Sequence, residues 1–200
     1  MKKLMATLIV ALTLTGCAAT LPPPVYVDAF HGLLNRTSAA VPVDQPATVA
    51  QPLGLIFSEN LEQYLKYIKA ADVGLKSYGA FTNTNAVVDI DPKFIAGRVL
   101  IMLRAHYPSI VLVDDFNHAV SSGKKGVLLI DIQPVLGSLS GQTTTVTITA
   151  YVFNERMQPV SRISGQGSSV VPYPAWDVGL QPSIDGAIRQ LDAKLTTHVR

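Results

Sequence analysis

Alternation of threonine with apolar residues is the clearest pattern in the chain, and it lies in the C-terminal half. In Thr143–Phe153, threonines occupy the odd positions 143 to 149, and the even positions from Val146 to Val152 are apolar. A period of two predicts a strand with one covered face and one solvated face, so we expect the threonine face to meet water. Gly126–Leu136 and Val160–Val171 read as strands on either side, joined through turns at 137–141 and 154–159. The three segments predict an antiparallel β-meander.

Two amphipathic helices are predicted outside this meander. One begins at Asp91-Pro92, because aspartate caps free amides and proline is favoured in the first turn, and it ends before Pro108. The other begins with Ser183 as its cap. Their apolar residues recur at helical spacing. The stripes are Phe94, Ile95, Val99, Met102 and Leu103 in the first, and Ile184, Ile188, Leu191 and Leu195 in the second. Each stripe predicts a helix that packs on the sheet.

The remaining elements are shorter. Leu53–Phe57 predicts a buried strand and Ile110–Val113 a second short strand. Ser58–Val73 fits either a helix or an edge strand, and we predict a helix; Leu75–Val88 predicts a loop with at most a short strand, and Asp114–Ser122 one or two helical turns. Together the elements predict an α+β fold. It is a two-layer sandwich in which a mainly antiparallel sheet with a C-terminal β-meander packs against two helices.

A different pattern occupies the N-terminus. Two lysines follow Met1, an apolar run extends over residues 4–14, and small residues lead to Cys17, the single cysteine of the chain. The run is shorter than the about 20 residues that cross a bilayer, so residues 1–16 are predicted to be a secretory signal peptide. The single cysteine cannot form an intrachain disulfide, so the fold depends on its own core.

The residues around the predicted cleavage point resemble the lipobox of bacterial lipoproteins. The resemblance implies cleavage between Gly16 and Cys17 and attachment of fatty acyl chains such as palmitate to Cys17. It also implies the periplasmic face of the outer membrane, because lipoproteins of this kind that stay at the inner membrane often have aspartate at the position of Ala18. The membrane is thus an expected partner through the lipid anchor.

Prolines punctuate the chain after Cys17 and favour an extended conformation. Residues 17–51 are therefore predicted to be the lipid anchor and a Pro-rich tether, and residues 52–200 a periplasmic α+β domain. Tyr26–Phe30 and Leu33-Leu34 are more apolar than a spacer requires. We expect them to dock on the domain or to form a short local helix, in preference to binding a partner.

Charge argues against a nucleic-acid partner. The chain has 16 basic and 14 acidic side chains, and the predicted signal peptide contains Lys2 and Lys3 and no acid. The mature chain then has 14 basic residues (16 − 2 = 14) against 14 acidic ones, whereas nucleic-acid binding needs a clustered basic surface.

Few residues group into recognisable chemistry. Asp114, Asp115 and His118 could bind a cation or orient a general base, although a solvated turn after a strand is the favoured explanation. Asp89 and Asp91 could flank a cation, but helix capping already explains Asp91. The histidines lack metal-ligand spacing, so we predict no metal site, no cofactor and no catalytic residue.

Three glycine-containing segments do not match a known functional motif. Gly137–Gly141 has leucine at its centre, where a nucleophile elbow has serine. Gly123-Lys124-Lys125 lacks the rest of a phosphate loop. Gly165-Gln166-Gly167 predicts a β-bulge inside a strand.

The order of elements resembles that of the YajG-like lipoproteins and the ABC-transport auxiliary lipoproteins. The stretches that carry the resemblance are Ile95–Tyr107, Gly126–Phe153 and Ser183–Leu195, within residues 53–199. Residues 58–88 depart from it, since they are long and irregular. The resemblance implies a non-enzymatic accessory protein of the cell envelope and assigns no functional residue.

The sequence therefore predicts a lipid-anchored accessory subunit that binds a protein partner in an envelope complex. Tyr173 and Trp176 are candidate partner contacts, because exposed aromatics are common in binding hot spots; they could equally cap the edge of the core. The alternative is a module that binds a lipid or small ligand in a pocket between helices and sheet. A third hypothesis is an envelope hydrolase that uses Asp114, Asp115 or His118.

Overall fold

One five-stranded mixed sheet organises the fold, which a computed structural model describes over residues 24–67, 69–70, 73, 94–137, 141–171 and 180–199. The strand order is β2-β1-β3-β4-β5. The strands are β1 (Leu53–Phe57), β2 (Val111–Leu112), β3 (Gly126–Val135), β4 (Thr143–Phe153) and β5 (Pro159–Val170). β1 is parallel to β2 and β3, and β3, β4 and β5 form an antiparallel meander. The predicted α+β class, the mainly antiparallel sheet and the meander are confirmed.

The helices within the described residues follow the predicted order. They are α1, which begins at residue 60 and is helical at each described residue up to 73, α2 (Phe94–His106), α3 (Phe116–Ser121) and α4 (Leu180–His198). The predicted helix in 58–73 is thus confirmed at the described residues from 60 onward. The predicted loop at 75–88 and the Asp89 and Asp91 positions lie outside the described residues. No helix in the described ranges is both long and apolar enough to span a bilayer.

The first hydrophobic core lies between the sheet and helices α1, α2 and α4. Side chains of Leu128, Ile130 and Ile132 on β3 point into it, because alternate residues of a strand face the same side. The predicted stripe of α4 meets them, with Leu191 fully buried and Ile188 only 8% exposed. The predicted burial of the α4 stripe is confirmed. On α2, Ile95, Val99 and Leu103 are buried in the same core and Met102 packs against it, whereas Phe94 is 39% exposed.

Helix α4 approaches β5 closely because that strand has glycines at the contact. A Cβ atom at Gly165 would lie 2.2 Å from the carbonyl oxygen of Ala187, and one at Gly167 would lie 2.0 Å from that of Ser183. The predicted bulge at these glycines is wrong. The pairing of β4 with β5 is regular there, and its register shift lies at Val152/Phe153. The glycines make room for a helix, not for an extra residue.

Helix α4 begins at Leu180, so the prediction that Ser183 caps it is wrong. Leu180 is only 5% exposed, and its burial extends the helix by a turn that includes Pro182; proline is tolerated in a first turn, where its missing N–H has no intrahelical partner. Ser183 is fully buried inside the helix, and its hydroxyl donates to the carbonyl oxygen of Thr144 at 3.0 Å.

The second face of the sheet is covered by α3 and by the N-terminal segment, which we define as residues 24–49. Phe30 is fully buried with its ring centroid 5.0 Å from that of Tyr151, and Phe116 of α3 lies 4.7 Å from Phe153. Ala29 and Val41 are buried in the same cluster, and Leu33 and Leu34 pack against it. The predicted docking of Tyr26–Phe30 and Leu33-Leu34 is confirmed.

The tether predicted over residues 17–51 is therefore wrong for residues 24–49, because this stretch is part of the folded domain. Its later residues also pair with distant backbone. The N–H of Arg162 donates to the carbonyl of Pro42, and the N–H of Ala47 donates to the carbonyl of His198. The segment is not extended throughout, because it turns at residues 29–33 and forms a 3₁₀ turn at Ser38–Ala40.

The same layer limits the predicted solvation of the threonine face. Thr143 is exposed, and Thr145 and Thr147 are partly exposed, whereas Thr149 is 8% exposed. Tyr151, which follows on the same face, is buried by contact with the N-terminal segment. The predicted solvation holds for the first half of β4 and fails for the second half, which the N-terminal segment covers.

The close approach of α4 to β5 predicts opposite effects for two glycine substitutions. Gly167→Ala should lower the free energy of unfolding by about 1–3 kcal/mol or more, because the added methyl overlaps helix backbone. Gly97→Ala on α2 is the matched control: nothing lies within 4 Å of its Cβ position, and alanine in a helix should raise stability by roughly 0.5–1 kcal/mol. Urea unfolding of both variants tests this; equal stabilities would contradict the described packing.

Candidate functional site

A buried carboxylate marks the centre of the candidate site. Asp131 lies within β3 on the face that the N-terminal segment covers, and it is 3% exposed. Ser58 Oγ donates to Asp131 Oδ1 at 2.5 Å, and Asn60 Nδ2 donates to the same oxygen at 2.8 Å. Gln133 Nε2 donates to Oδ2 at 2.7 Å. Both carboxylate oxygens are therefore hydrogen-bonded, which a buried carboxylate requires.

The parallel pairing of β1 with β3 brings these residues together. Phe57, the last residue of β1, is in register with Ile130, so Ser58 reaches the next residue of β3. Its N–H continues the ladder by donating to the carbonyl of Ile130 at 2.8 Å. The chain then turns into α1, and Asn60, at the start of that helix, lies against the same carboxylate.

Asn60 fastens the N-terminal segment to this cluster. The N–H of Val27 donates to Asn60 Oδ1 at 2.9 Å, and Asn60 Nδ2 donates to the carbonyl of Val27 at 2.9 Å. The side-chain amide thus pairs with residue 27 as the backbone of a neighbouring strand would. Tyr26 adds a hydrogen bond from its hydroxyl to the carbonyl of Pro134 at 2.5 Å. Asn60 is fully buried; its hydrogen bond to Asp131 is buried, and its two hydrogen bonds to Val27 are partly buried.

Burial raises the pKa of Asp131 above its ordinary value, and the nearby charge of Asp28 acts in the same direction. The hydrogen bonds from Ser58, Asn60 and Gln133 oppose this effect without cancelling it. The carboxyl group is therefore easier to protonate in the folded protein than in the unfolded chain.

Asp28 behaves in the opposite way. Burial raises its pKa, but hydrogen bonds from the Phe30 N–H, the Thr37 hydroxyl and both the N–H and the hydroxyl of Ser38 outweigh this effect, so the pKa lies below its ordinary value. Asp28 thereby holds the turn that leads from Phe30 into the 3₁₀ turn at Ser38–Ala40.

A shallow cleft of about 400 Å³ opens beside the cluster, between the turn after Phe30 and the start of α1. Leu61 and Leu65 line one side, and Ser58 lies at its wall. His31 Nδ1 lies 2.7 Å from Glu59 Oε2 at the rim, where both side chains are exposed. The volume suits a small ligand, but the cleft is broadly open to solvent and its rim is charged.

The hydrogen bonding gives Ser58 a structural role. A serine nucleophile needs an accessible oxygen and a base that takes its proton. Ser58 is 3% exposed, and its hydroxyl donates to Asp131. His31, which lines the same cleft, pairs with Glu59.

The predicted cluster of Asp114, Asp115 and His118 forms a helix start. Asp115 is the N-cap of α3, and its side chain accepts a hydrogen bond from the His118 N–H at 2.7 Å. His118 Nδ1 lies 3.3 Å from Asp114 Oδ2, and all three residues are exposed. Across the described part of the chain, no group of three or more His, Cys, Asp or Glu side chains is placed to hold a metal ion. The favoured explanation, a solvated turn, fits this geometry.

Four predicted site residues lie outside the described residues: Gly16, Cys17, Tyr173 and Trp176. Lipidation at Cys17 and a partner contact at Tyr173 and Trp176 therefore stay predictions.

Sequence reasoning did not single out the Asp131 cluster. One signal was present: Asp131 interrupts the apolar run from Val127 to Ile132, and a charged residue in a covered strand needs partners. Gln133 is two positions from Asp131, but Ser58 and Asn60 lie 73 and 71 positions away, so no local pattern could identify those two partners.

Comparison of the chain with protein-family models, with curated proteins and with solved structures finds no match. The resemblance to the YajG-like and ABC-transport auxiliary lipoproteins therefore stays a prediction.

The opposite pKa shifts of Asp131 and Asp28 predict opposite pH effects. The raised pKa of Asp131 means that its protonated form favours folding below the unfolded-state pKa of about 3.9, and that this contribution is lost as pH rises through the higher folded-state value. Asp131→Asn should therefore gain stability relative to the unsubstituted protein as pH rises through that window.

Asp28→Asn is the matched control. The contribution of Asp28 is present above about pH 3.9 and is lost as pH falls through its lower folded-state pKa. Its stability difference should therefore change below that pH and with the opposite sign. Urea unfolding across the acid range measures both; a pH-independent difference for Asp131→Asn would contradict the described burial.

Proposed function

We propose that this protein is a lipid-anchored lipoprotein of the cell envelope. Its α+β domain acts as a non-catalytic accessory subunit that binds a protein partner in an envelope complex. In this proposal Cys17 carries the lipid at the periplasmic face of the outer membrane.

The observation that carries the proposal is the docking of the N-terminal segment. Cys17 is seven positions before Pro24, the first described residue, so a fully extended link spans at most about 25 Å. From Tyr26 onward the chain is fastened to the domain by partly buried hydrogen bonds and by the buried Phe30. A lipid at Cys17 would thus hold the domain close to the bilayer, which suits a subunit that presents a surface to a membrane-associated partner.

The β2 edge supports the protein-partner part of the proposal. Val111 and Leu112 form this short edge strand, and they are 49% and 57% exposed. Val120, on the helix that follows, is 59% exposed. Aliphatic side chains on an edge strand favour protein association, because an edge also offers backbone hydrogen bonds to another chain.

A second candidate function is the binding of a lipid or small ligand, and the cleft beside Ser58 favours it. Leu61 and Leu65 offer apolar surface there, and His31 and Glu59 offer polar groups at the rim. Lipid or metabolite that copurifies with the protein, and that is lost in Leu65→Glu, would support this function over partner binding.

Lipid attachment gives the first test. Metabolic labelling with an alkyne fatty acid should label the protein, and Cys17→Ser should abolish the label because the chain has no other cysteine. The double variant Cys17→Ser/Glu155→Cys is the matched control, since it restores a thiol at an exposed turn and should stay unlabelled. An unlabelled wild-type protein would contradict anchoring.

Photo-crosslinking in cells tests partner binding. A photoreactive residue at Leu112 should give a discrete adduct with one envelope protein, and the adduct should be lost when Val111 is replaced by aspartate. The same residue at Thr196, exposed on α4, is the control and should give no such adduct. Equal adducts from both positions, or none from Leu112, would contradict a binding role for the β2 edge.

A further inference from the structure

Charged residues are distributed unevenly along the sheet. At one end, Lys124-Lys125 precede β3 and Glu155-Arg156 lie in the turn between β4 and β5. Toward the other end, no Asp, Glu, Lys or Arg occurs among the described residues 132–137, 141–154 and 163–171. We call this second end, formed by the last residues of β3, the first of β4 and the last of β5, the uncharged end.

The N-terminal segment enters the fold at the uncharged end. The Tyr26 hydroxyl reaches Pro134, next to the last residue of β3. Phe30 contacts Tyr151, which is in register with Leu129 near the beginning of β3. The segment therefore runs back along β3 toward its beginning, and its first described residue lies at the uncharged end.

Aliphatic side chains are exposed at this same end. Val25 is 84% exposed, Val135 is 50% exposed and Val170 is 60% exposed. Val135 is the last residue of β3, and Val170, the last of β5, pairs with Thr143. Single exposed valines are ordinary, but Val135 and Val170 end strands whose last described residues carry no charge, and Val25 lies where the chain enters the domain.

We infer that the uncharged end rests against the bilayer that carries the anchor, an inference that depends on the proposed lipidation of Cys17. The link from Cys17 holds this end within about 25 Å of the lipid, whereas the 11 residues of β4 place the Glu155 turn about 35 Å further along the sheet. An uncharged surface approaches the headgroup region without removing water from charges, and exposed valines favour leaving water.

The test measures the depth of single labelled positions in the full, lipidated protein. Val135→Cys and Val170→Cys each supply the one free thiol, because acylation blocks Cys17, and an environment-sensitive fluorophore is attached there. Glu155→Cys at the opposite end is the matched control. The protein is reconstituted in phosphatidylethanolamine/phosphatidylglycerol vesicles that contain nitroxide-labelled lipid, and quenching of each fluorophore is measured.

Quenching should be at least fivefold greater at positions 135 and 170 than at 155. Equal quenching at all three positions, or greater quenching at 155, would overturn the inference. Mass spectrometry of the reconstituted protein separates the two proposals: an acylated Cys17 with no difference in quenching refutes only the orientation, whereas an unmodified Cys17 refutes the anchor and the orientation with it. Val170→Asp in the Val135→Cys background should lower the quenching at 135 without releasing the acylated protein from the vesicles.

Discussion

The carboxylate of Asp131 is the point at which three parts of the chain meet. β3 supplies the carboxylate, the chain between β1 and α1 supplies two of its donors, and Asn60 extends the network to the backbone of Val27. A buried carboxylate without hydrogen bonds costs several kcal/mol, so the hydrogen-bond partners of Asp131 are needed for stability. Loss of Asn60 would leave the carboxylate short of one donor and the N-terminal segment short of its clamp. The docking of that segment and the stability of the buried carboxylate in β3 thus depend on the same side chain.

The two faces of the sheet are closed by different means. Helix α4 covers the first face with a stripe of aliphatic side chains, and it lies close because Gly165 and Gly167 leave space for its backbone. The second face is closed by helix α3 and by the irregular N-terminal segment, through aromatic contacts of Phe116 and Phe30 and through side-chain hydrogen bonds. A segment without regular structure must satisfy its backbone polar groups individually, which explains why Asp28 and Asn60 each bond to backbone N–H groups in it.

The regular strands and helices could be predicted from the local periodicity of the sequence. The alternation in β4 and the stripe of α4 are each visible in a dozen residues, and both elements form as expected. The N-terminal segment has neither period, and its prolines resemble those of a spacer, so its place on the sheet follows only from contacts with residues such as Tyr151. The glycines of β5 suggest a bulge in the sequence because the reason for them lies in α4. The Asp131 cluster cannot be assembled from the sequence because Ser58 and Asn60 lie 73 and 71 positions from Asp131. The predicted lipobox, by contrast, rests on residues next to one another, so its prediction does not depend on the fold.

The contacts of the N-terminal segment with residues distant in sequence also affect the order in which the protein can fold. Pro42 pairs with Arg162, and Ala47 pairs with the last turn of the chain at His198. These contacts join parts that are far apart in sequence, and closing such long loops costs entropy that must be met before the contacts form. The segment therefore has no complete docking surface until the meander and α4 exist. We expect the N-terminal segment, although it is synthesised before the rest of the domain, to dock last, and Tyr151 and Phe153 to stay exposed until it docks.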